Sequence, residues 1–200
     1  MLLSEKLDGM RALWHQGRLW SRQGNALHAP PSFTAALPQH CTLDGELHMG
    51  RGRFSETMTV TRGQAASEER WRGVQYAVFD APLAPGGFAA RLAAAGAALA
   101  EGRRAAEAAA GGAVESFAAL LPHTPCAGPE DLALQLQAMV AAGGEGLMLR
   151  NPDALFSESK STRRPCAVPP LSHPPPFTHT HYSHPPTPPP FQPVGARMTC

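Results

Sequence analysis

The sequence predicts an α+β fold, in which short strands come early in the chain and helices come late. The first 80 residues contain several runs in which apolar and polar residues alternate around glycines, a pattern typical of antiparallel strands joined by tight turns. After residue 87 come two Ala- and Leu-rich segments whose interiors contain no proline, which is typical of helices. Strands and helices that are separated along the chain favour α+β over an alternating α/β arrangement.

The predicted strands follow from local patterns. The stretch "RALWHQGRLWSRQGNALHA", residues 11–29, predicts short antiparallel strands that turn at Gly17 and Gly24. "TLDGELHMG", residues 42–50, predicts a strand around a glycine. "VQYAVFDAP", residues 74–82, predicts a buried strand that ends at its proline, because proline cannot donate a ladder hydrogen bond.

Two helices and one more strand complete the predicted body. The Ala-rich segment that begins at residue 88 is expected to end at Gly111-Gly112, since glycine commonly closes a helix. "PEDLALQLQAMVAAGG", residues 129–144, begins with proline and two acids and ends with two glycines, the usual asymmetry of a helix. The following "GLMLR" predicts a return to a strand.

Composition excludes several classes of protein. The hydrophobic fraction of 43% fits a globular domain, and a net charge of +1 means that a nucleic-acid partner would have to be held by a local basic patch. The four cysteines form no CxxC pair, so neither a zinc site nor a disulfide framework is predicted. No apolar run is long enough to cross a membrane, and early charges such as Glu5 and Asp8 argue against a secretory signal. We therefore expect an intracellular protein, in the nucleus or an organelle among other compartments.

The last part of the chain differs in composition from the rest. Residues 165–193 contain 12 of the 21 prolines, which removes backbone donors and disfavours helices. All 16 acidic residues and 16 of the 17 basic residues precede residue 165. We expect a folded body over residues 1–164 and a disordered Pro/His-rich tail over residues 165–200. Composition alone also fits a scaffold whose tail docks SH3- or WW-type domains.

Polar residues recur at the predicted strand ends in a fixed order. "SEKLDGMR" places Lys6, one of only two lysines, before an Asp-Gly pair; by itself this fits a surface hairpin as well as a nucleophile. There follow "LWSRQGNALHAP", "LDGELHMGRGRF", "YAVFDAP" and "GGEGLMLRNPDALF". Five ordered segments carry far more information than a lone KxDG motif.

This series resembles the covalent nucleotidyltransferases, most closely the small ATP-dependent DNA ligases of the bacterial type, over about residues 3–156. The resemblance implies an ATP-grasp-like adenylation fold of antiparallel sheets with flanking helices. It implies an enzyme that forms a lysyl-AMP intermediate from ATP with Mg²⁺ or Mn²⁺. It also implies transfer of AMP to the 5′-phosphate of nicked double-stranded DNA, in repair, replication or recombination, by a monomer that does not bind membranes.

The resemblance also implies roles for individual residues around the nucleotide. Lys6 is the nucleophile, and Glu5 lies against the adenine. Arg11 and Arg22 match arginines that contact ribose or phosphate, a task that suits a permanently charged, planar guanidinium. Phe79 matches the aromatic residue that stacks on adenine, although an ordinary core phenylalanine fits its buried strand as well.

Carboxylates and further arginines complete the implied site. Glu46 and Glu145 match the acids that bind the ribose hydroxyl and a divalent metal. For Asp44 a turn role and a site role stay open, and Asp80 is left unassigned. The candidate DNA contacts are the arginines of "HMGRGRFSETMTVTRG", for which a solvated loop fits nearly as well: Arg51, Arg53 and Arg62.

The pattern departs from the ligases after residue 156. Ligases continue with a lysine pair, K-x-K, and an OB-fold domain, whereas here the chain reads "SESKSTRRPCAVPP" and then the tail. Two alternatives therefore stay open beside an active ligase. One is a catalytically impaired relic that only binds nucleotide or DNA, and the other is an RNA ligase or an RNA-capping nucleotidyltransferase.

Overall fold

A computed structural model of the chain describes residues 1–64 and 67–156. The strands are β1 (Leu2–Glu5), β2 (Met10–His15), β3 (Arg18–Ser21), β4 (Ala26–Leu27), β5 (Leu43–His48), β6 (Gln75–Asp80), β7 (Ala118–Leu120), β8 (Thr124–Pro125) and β9 (Leu147–Arg150). The helices are α1 (Pro31–Thr34), α2 (Phe54–Thr61), α3 (Glu68–Trp71), α4 (Phe88–Ala110) and α5 (Pro129–Ala141). The predicted tail over residues 165–200 and its boundary at residue 164 lie outside the described residues.

The strands form two sheets. The larger one has six strands in the order β4-β3-β2-β5-β6-β7, and the smaller one has three in the order β8-β1-β9. Neighbouring strands are antiparallel except for β6 and β7, which pair in parallel. The predicted antiparallel sheets with flanking helices are confirmed, with one parallel pair at the sheet edge, for which α4 supplies the crossover connection.

The larger sheet covers the hydrophobic core. Strand β2 alternates buried and half-buried residues, and its buried side chains include Ala12 and Trp14, each 1% exposed. Tyr76 on β6 is fully buried, and its hydroxyl lies 3.0 Å from the carbonyl of Ala12 and 2.9 Å from that of Leu43. One phenol group thus links β6 to its neighbour β5 and to β2, the strand beyond β5.

In the described part of the chain, three helices that the sequence pattern did not predict precede β6, in addition to the two predicted late helices. Helix α2 has the sequence "FSETMTVT", whose β-branched residues gave no helical signal. Its threonines use their hydroxyls locally: Thr57 donates to the carbonyl of Arg53, and Thr61 donates to that of Thr57. The same two threonines and Val60 are buried, so tertiary packing outweighs weak helix propensity.

Helix α4 packs along the sheet by a face of small residues. Its buried positions are Phe88, Arg91, Ala95, Ala98 and Gly102, which recur at helical spacing. A Cβ at Gly102 would lie 2.6 Å from the carbonyl of Ala36, so only glycine permits this close approach. The helix ends at Gly111 with φ of 69°, which confirms the predicted glycine end.

The smaller sheet joins the two ends of the described chain. Strand β1 lies in its centre and pairs with β9 in the antiparallel register Glu5 to Leu147 and Leu2 to Arg150. Helix α5, predicted from its proline start and glycine end, leads into β9. In the residues that the structure describes, no helix is both long and apolar enough to cross a membrane.

Candidate active site

Strands from both sheets line a cleft of about 610 Å³. Lys6 and Glu145 lie at one end, where β1 and β9 meet. The other predicted residues that line the cleft are Glu5, Arg11, Arg22, Glu46, Arg62 and Phe79. The fold therefore brings together eight of the ten predicted site residues, which are spread from residue 5 to residue 145 of the sequence.

Lys6 and Glu145 meet because of strand pairing. Lys6 directly follows β1 and Glu145 precedes β9, and the backbone N–H of Lys6 donates to the carbonyl of Gly146 at 2.9 Å. The Lys6 Nζ and the Glu145 carboxylate form an ion pair, with side chains 46% and 43% exposed. A primary amine is thus held at the cleft and remains accessible to a ligand.

The glycine of the KxDG motif has a steric function. Gly9 lies against the backbone of Leu47 in β5, and a Cβ at Gly9 would collide with the Leu47 carbonyl oxygen. The segment after Lys6 can therefore pass close to β5 on its way to β2. This passage carries the chain from the smaller sheet to the larger one.

Arg11 is fixed by a buried carboxylate. Its Nε donates to Asp44 Oδ1 at 3.0 Å and its Nη2 to Asp44 Oδ2 at 2.5 Å. Burial works against the charge on Arg11, but the hydrogen bond and the negative charge of Asp44 outweigh it and raise the pKa of Arg11. Asp44 is only 3% exposed, so its role in the structure is to orient the guanidinium.

Glu46 lies beside this pair, in register with Arg11 across β2 and β5. Burial raises the pKa of Glu46 to about 8, although the nearby charges of Arg11 and Lys6 oppose the shift. A carboxyl group of this kind binds or releases a proton near neutral pH. Any cation that it ligates must therefore compete with that proton.

Two guanidinium groups lie over the ring of Phe79. The central carbon of Arg11 is 5.8 Å from the ring centroid, and that of Arg150 is 5.4 Å from it. Arg150 is also 5.0 Å from the ring of Phe88, and burial lowers its pKa. Phe79 is half-buried, so one aromatic surface borders the cleft and is surrounded by positive charge.

Asp80, which follows Phe79, points to a different part of the protein. It forms a two-pronged ion pair with Arg91 of α4, with N–O distances of 2.8 and 3.2 Å, and both side chains are 3% exposed. Arg91 also donates to the carbonyls of Gly86 and Ala154. This buried network joins β6, α4 and the segment after β9.

The three arginines predicted to contact DNA are placed differently. Arg62 borders the cleft. Arg53, the residue before α2, forms an ion pair with Glu56 in the first turn of that helix, and Arg51 forms one with Glu5. Arg51 also lines a second cavity of about 620 Å³, which includes His48 and shares Lys6 and Glu145 with the cleft.

The donor set for a metal is small. Over residues 1–64 and 67–156, no three or more His, Cys, Asp and Glu side chains are grouped so as to hold a metal ion. The cleft does contain Glu46 and Glu145, both hard oxygen donors. They fit Mg²⁺, which usually keeps several waters and takes one or two carboxylates from the protein.

Sequence reasoning missed two arginines. Arg150 ends the "GLMLR" strand and reaches the cleft, and Arg91 belongs to an Ala-rich helix whose pattern gives no hint of a buried charge. The available signal for Arg150 was its place at a strand end directly after the "EG" segment. For Arg91 no local signal exists, because its partner Asp80 lies on another element.

The chain is similar in sequence to a known enzyme. It is 30% identical over 162 residues to a DNA ligase of Haemophilus influenzae, a match that covers 81% of this chain and 55% of the relative. The chain thus spans about half the length of this curated relative. No protein-family model matches the chain.

Solved structures agree with this similarity. A Lig E DNA ligase superposes with a TM-score of 0.63 and 31% identity, over 78% of this chain and 57% of the other. The Chlorella virus DNA ligase-adenylate gives a TM-score of 0.61 at 18% identity, over 78% and 56% of the two chains. The bacteriophage T7 ATP-dependent DNA ligase, in complex with ATP, gives 0.56 at 13% identity, over 78% and 58%. The last two matches show a shared fold and no more.

Proposed function

Because the chain is related in sequence to the DNA ligases and has the fold of their nucleotidyltransferase domain, we propose that it is an ATP-dependent adenylating enzyme of the DNA-ligase type. In this proposal Lys6 accepts AMP from ATP and passes it to the 5′-phosphate of nicked DNA. The observation that carries the proposal is the Lys6–Glu145 pair at the end of a cleft that also contains Arg11, Arg22, Glu46 and Phe79.

The first step is a nucleophilic substitution at phosphorus. The Lys6 amine attacks the α-phosphorus of ATP, an N–P bond forms, and the bond to the leaving pyrophosphate breaks. The amine must lose its proton to react, and a free lysine has a pKa of about 10.4. Glu145 pairs with the Lys6 ammonium, so the amine must leave this ion pair and pass a proton to solvent before it attacks.

The arginines of the cleft suit a phosphate ligand. Arg11 is held rigid by Asp44, and a guanidinium that needs no reorganisation stabilises developing negative charge well. Arg22 lines the same cleft. Phe79 offers an aromatic surface for the purine, and Arg150, which lies over that ring, adds a further positive charge.

Magnesium fits the proposal as the partner of two carboxylates. Glu46 and Glu145 would hold it, and a bound divalent cation would neutralise charge on the phosphates. Because burial raises the pKa of Glu46 to about 8, proton release from Glu46 would accompany metal binding. Manganese suits the same oxygen donors.

The second step would use a nicked duplex. An oxygen of the 5′-phosphate attacks the phosphorus of lysyl-AMP, the N–P bond breaks, and the amine regains a proton. Attack by the 3′-hydroxyl on the adenylated 5′-phosphate then joins the strands and releases AMP. Contacts to the DNA backbone by Arg62 and Arg53 would be independent of sequence, as nick sealing requires.

Nucleotide choice and nucleic-acid choice test this proposal. The full chain is incubated with Mg²⁺, ATP or GTP, and a nicked DNA or RNA duplex, and adenylated 5′-ends are separated by gel electrophoresis. We expect adenylated product with ATP and not with GTP, and on nicked DNA rather than on nicked RNA. A product with GTP would favour a capping-type enzyme, a product with RNA alone would favour an RNA ligase, and no product with tight nick binding would favour a binding relic.

A further inference from the structure

Arg51 lies on a tight turn that follows the end of β5. Its neighbours Gly50 and Gly52 have φ of 95° and 70°, in the left-handed region that favours glycine. A Cβ at either glycine would meet nothing within 4 Å, so the glycines serve the backbone turn rather than close packing. The turn is thus shaped to direct one side chain towards the second cavity.

The Arg51 guanidinium connects two other segments. Its Nε and Nη2 donate to the two carboxylate oxygens of Glu5 at 2.8 and 3.1 Å. Its Nη1 donates to the carbonyl of Ala142 at 2.8 Å, and Nη2 also contacts the Met139 sulfur at 3.3 Å. Ala142 is the C-cap of α5, where carbonyls lack helical partners and a cation is favoured.

The contacts of Arg51 lie on the two segments that carry the Lys6–Glu145 pair. Glu5 directly precedes Lys6, and Ala142 is followed after two glycines by Glu145. Gly143 has φ of 78° and Gly146 has φ of 153°, and a Cβ at either position would meet nothing within 4 Å, so both of these glycines border open space. Arg51 supplies a side-chain connection between this loop and the end of β1, in addition to the backbone hydrogen bond from Lys6 to Gly146.

From this geometry we infer that Arg51 is a positioning residue, which holds the Lys6 strand end and the Glu145 loop at a fixed separation across the cavity they share. The inference rests on the proposed function for its catalytic consequence. This positioning role differs from the DNA contact that the sequence predicted for Arg51. The Arg51 nitrogens named above already donate to Glu5 and Ala142 and contact Met139. A residue that binds only DNA has no effect on a step that occurs without DNA.

Self-adenylation in the absence of DNA separates the two roles. The full chain and its Arg51→Ala variant are incubated with α-labelled ATP and Mg²⁺, and the rate of label incorporation is measured at several ATP concentrations. We expect the maximal rate to fall about tenfold or more, because small displacements of reacting groups are costly, with the KM for ATP changed by less than about twofold. Arg51→Lys should recover part of the rate, since lysine keeps the charge without the two-pronged geometry.

Arg103→Ala is the matched control. Arg103 also forms an exposed ion pair with a glutamate, Glu107, but on α4 and outside both cavities. Arg103→Ala should self-adenylate at the wild-type rate. Its melting temperature should be close to that of Arg51→Ala, so that unfolding does not account for a lower rate in Arg51→Ala. Equal rates for wild type, Arg51→Ala and Arg103→Ala would overturn the inference, and a defect that appears only with nicked DNA would support the DNA contact instead.

A second readout does not depend on activity. Reductive ¹³C-methylation labels the amino terminus and the only two lysines of the chain, and a Lys6→Arg variant identifies the Lys6 signal. Arg51→Ala should shift that signal, whereas Arg103→Ala should not. If wild type incorporates no label from ATP, the proposed function fails, and an unshifted Lys6 signal in Arg51→Ala would independently refute the positioning role.

Discussion

Replacing Arg91 with methionine should strongly destabilise the protein. Methionine keeps most of the apolar stem and removes the guanidinium, which leaves the Asp80 side chain, 3% exposed, without its two-pronged partner. Removal of one member of a buried ion pair typically costs about 3–5 kcal/mol. The carbonyls of Gly86 and Ala154 also lose their donor, at about 1 kcal/mol each, while the charge of Arg150 nearby offsets part of the loss.

With the offset from Arg150 taken as roughly equal to the two lost carbonyl bonds, the net loss is about 3–5 kcal/mol, which is large beside the stability of a typical domain, about 5–15 kcal/mol. Urea unfolding of the full chain, followed by tryptophan fluorescence and circular dichroism, measures it. Arg103→Met, which breaks an exposed pair, should cost less than about 1 kcal/mol. Asp80→Leu combined with Arg91→Met should recover much of the loss, because an apolar replacement leaves no unpaired buried charge. A loss for Arg91→Met no greater than that for Arg103→Met would refute the reasoning.

Two further predictions concern β5. Burial raises the pKa of Glu46 from 4.5 to about 8, so the folded protein binds this proton more tightly than the unfolded chain does, and stability falls as pH rises between those values. Glu46→Gln should lessen this fall by at least about 1 kcal/mol between pH 6 and pH 9 in urea unfolding, and identical pH slopes would contradict it. Gly45→Ala should cost about 2 kcal/mol or more, because its Cβ would lie 2.6 Å from the Ala77 carbonyl oxygen and from the Tyr76 ring. Gly112→Ala, where a Cβ would meet nothing within 4 Å, is the control and should stay within about 0.5 kcal/mol of wild type.

Local sequence pattern predicted the elements in which intrinsic propensity and tertiary packing favour the same secondary structure. Strands β2, β3, β5, β6 and β9 and helices α4 and α5 all lie where periodicity and glycine or proline signals placed them. Helix α2 was missed because its threonines and valine are weak helix formers that tertiary burial stabilises. The parallel strand β7 is too short, at three residues, for its pattern to be visible in the sequence.

The candidate site was predictable where ordered motifs carry it. The fold brings Lys6, Glu46 and Glu145 to one cleft, as the resemblance to ligases implied, while their roles stay predictions. What the sequence could not supply is pairing between distant elements. The orientation of Arg11 by Asp44 and the bridging of β1 and α5 by Arg51 depend on side chains that meet only after folding.

The most direct test of the account is whether Lys6 becomes covalently adenylated. Purified full chain and Lys6→Ala are incubated with α-labelled ATP and Mg²⁺, denatured, and examined for protein-bound label, with circular dichroism to verify that both are folded. The account predicts acid-labile label on the wild type and none on Lys6→Ala. Folded wild-type protein without label, or equal label on Lys6→Ala, would contradict the assignment of Lys6 as the nucleophile.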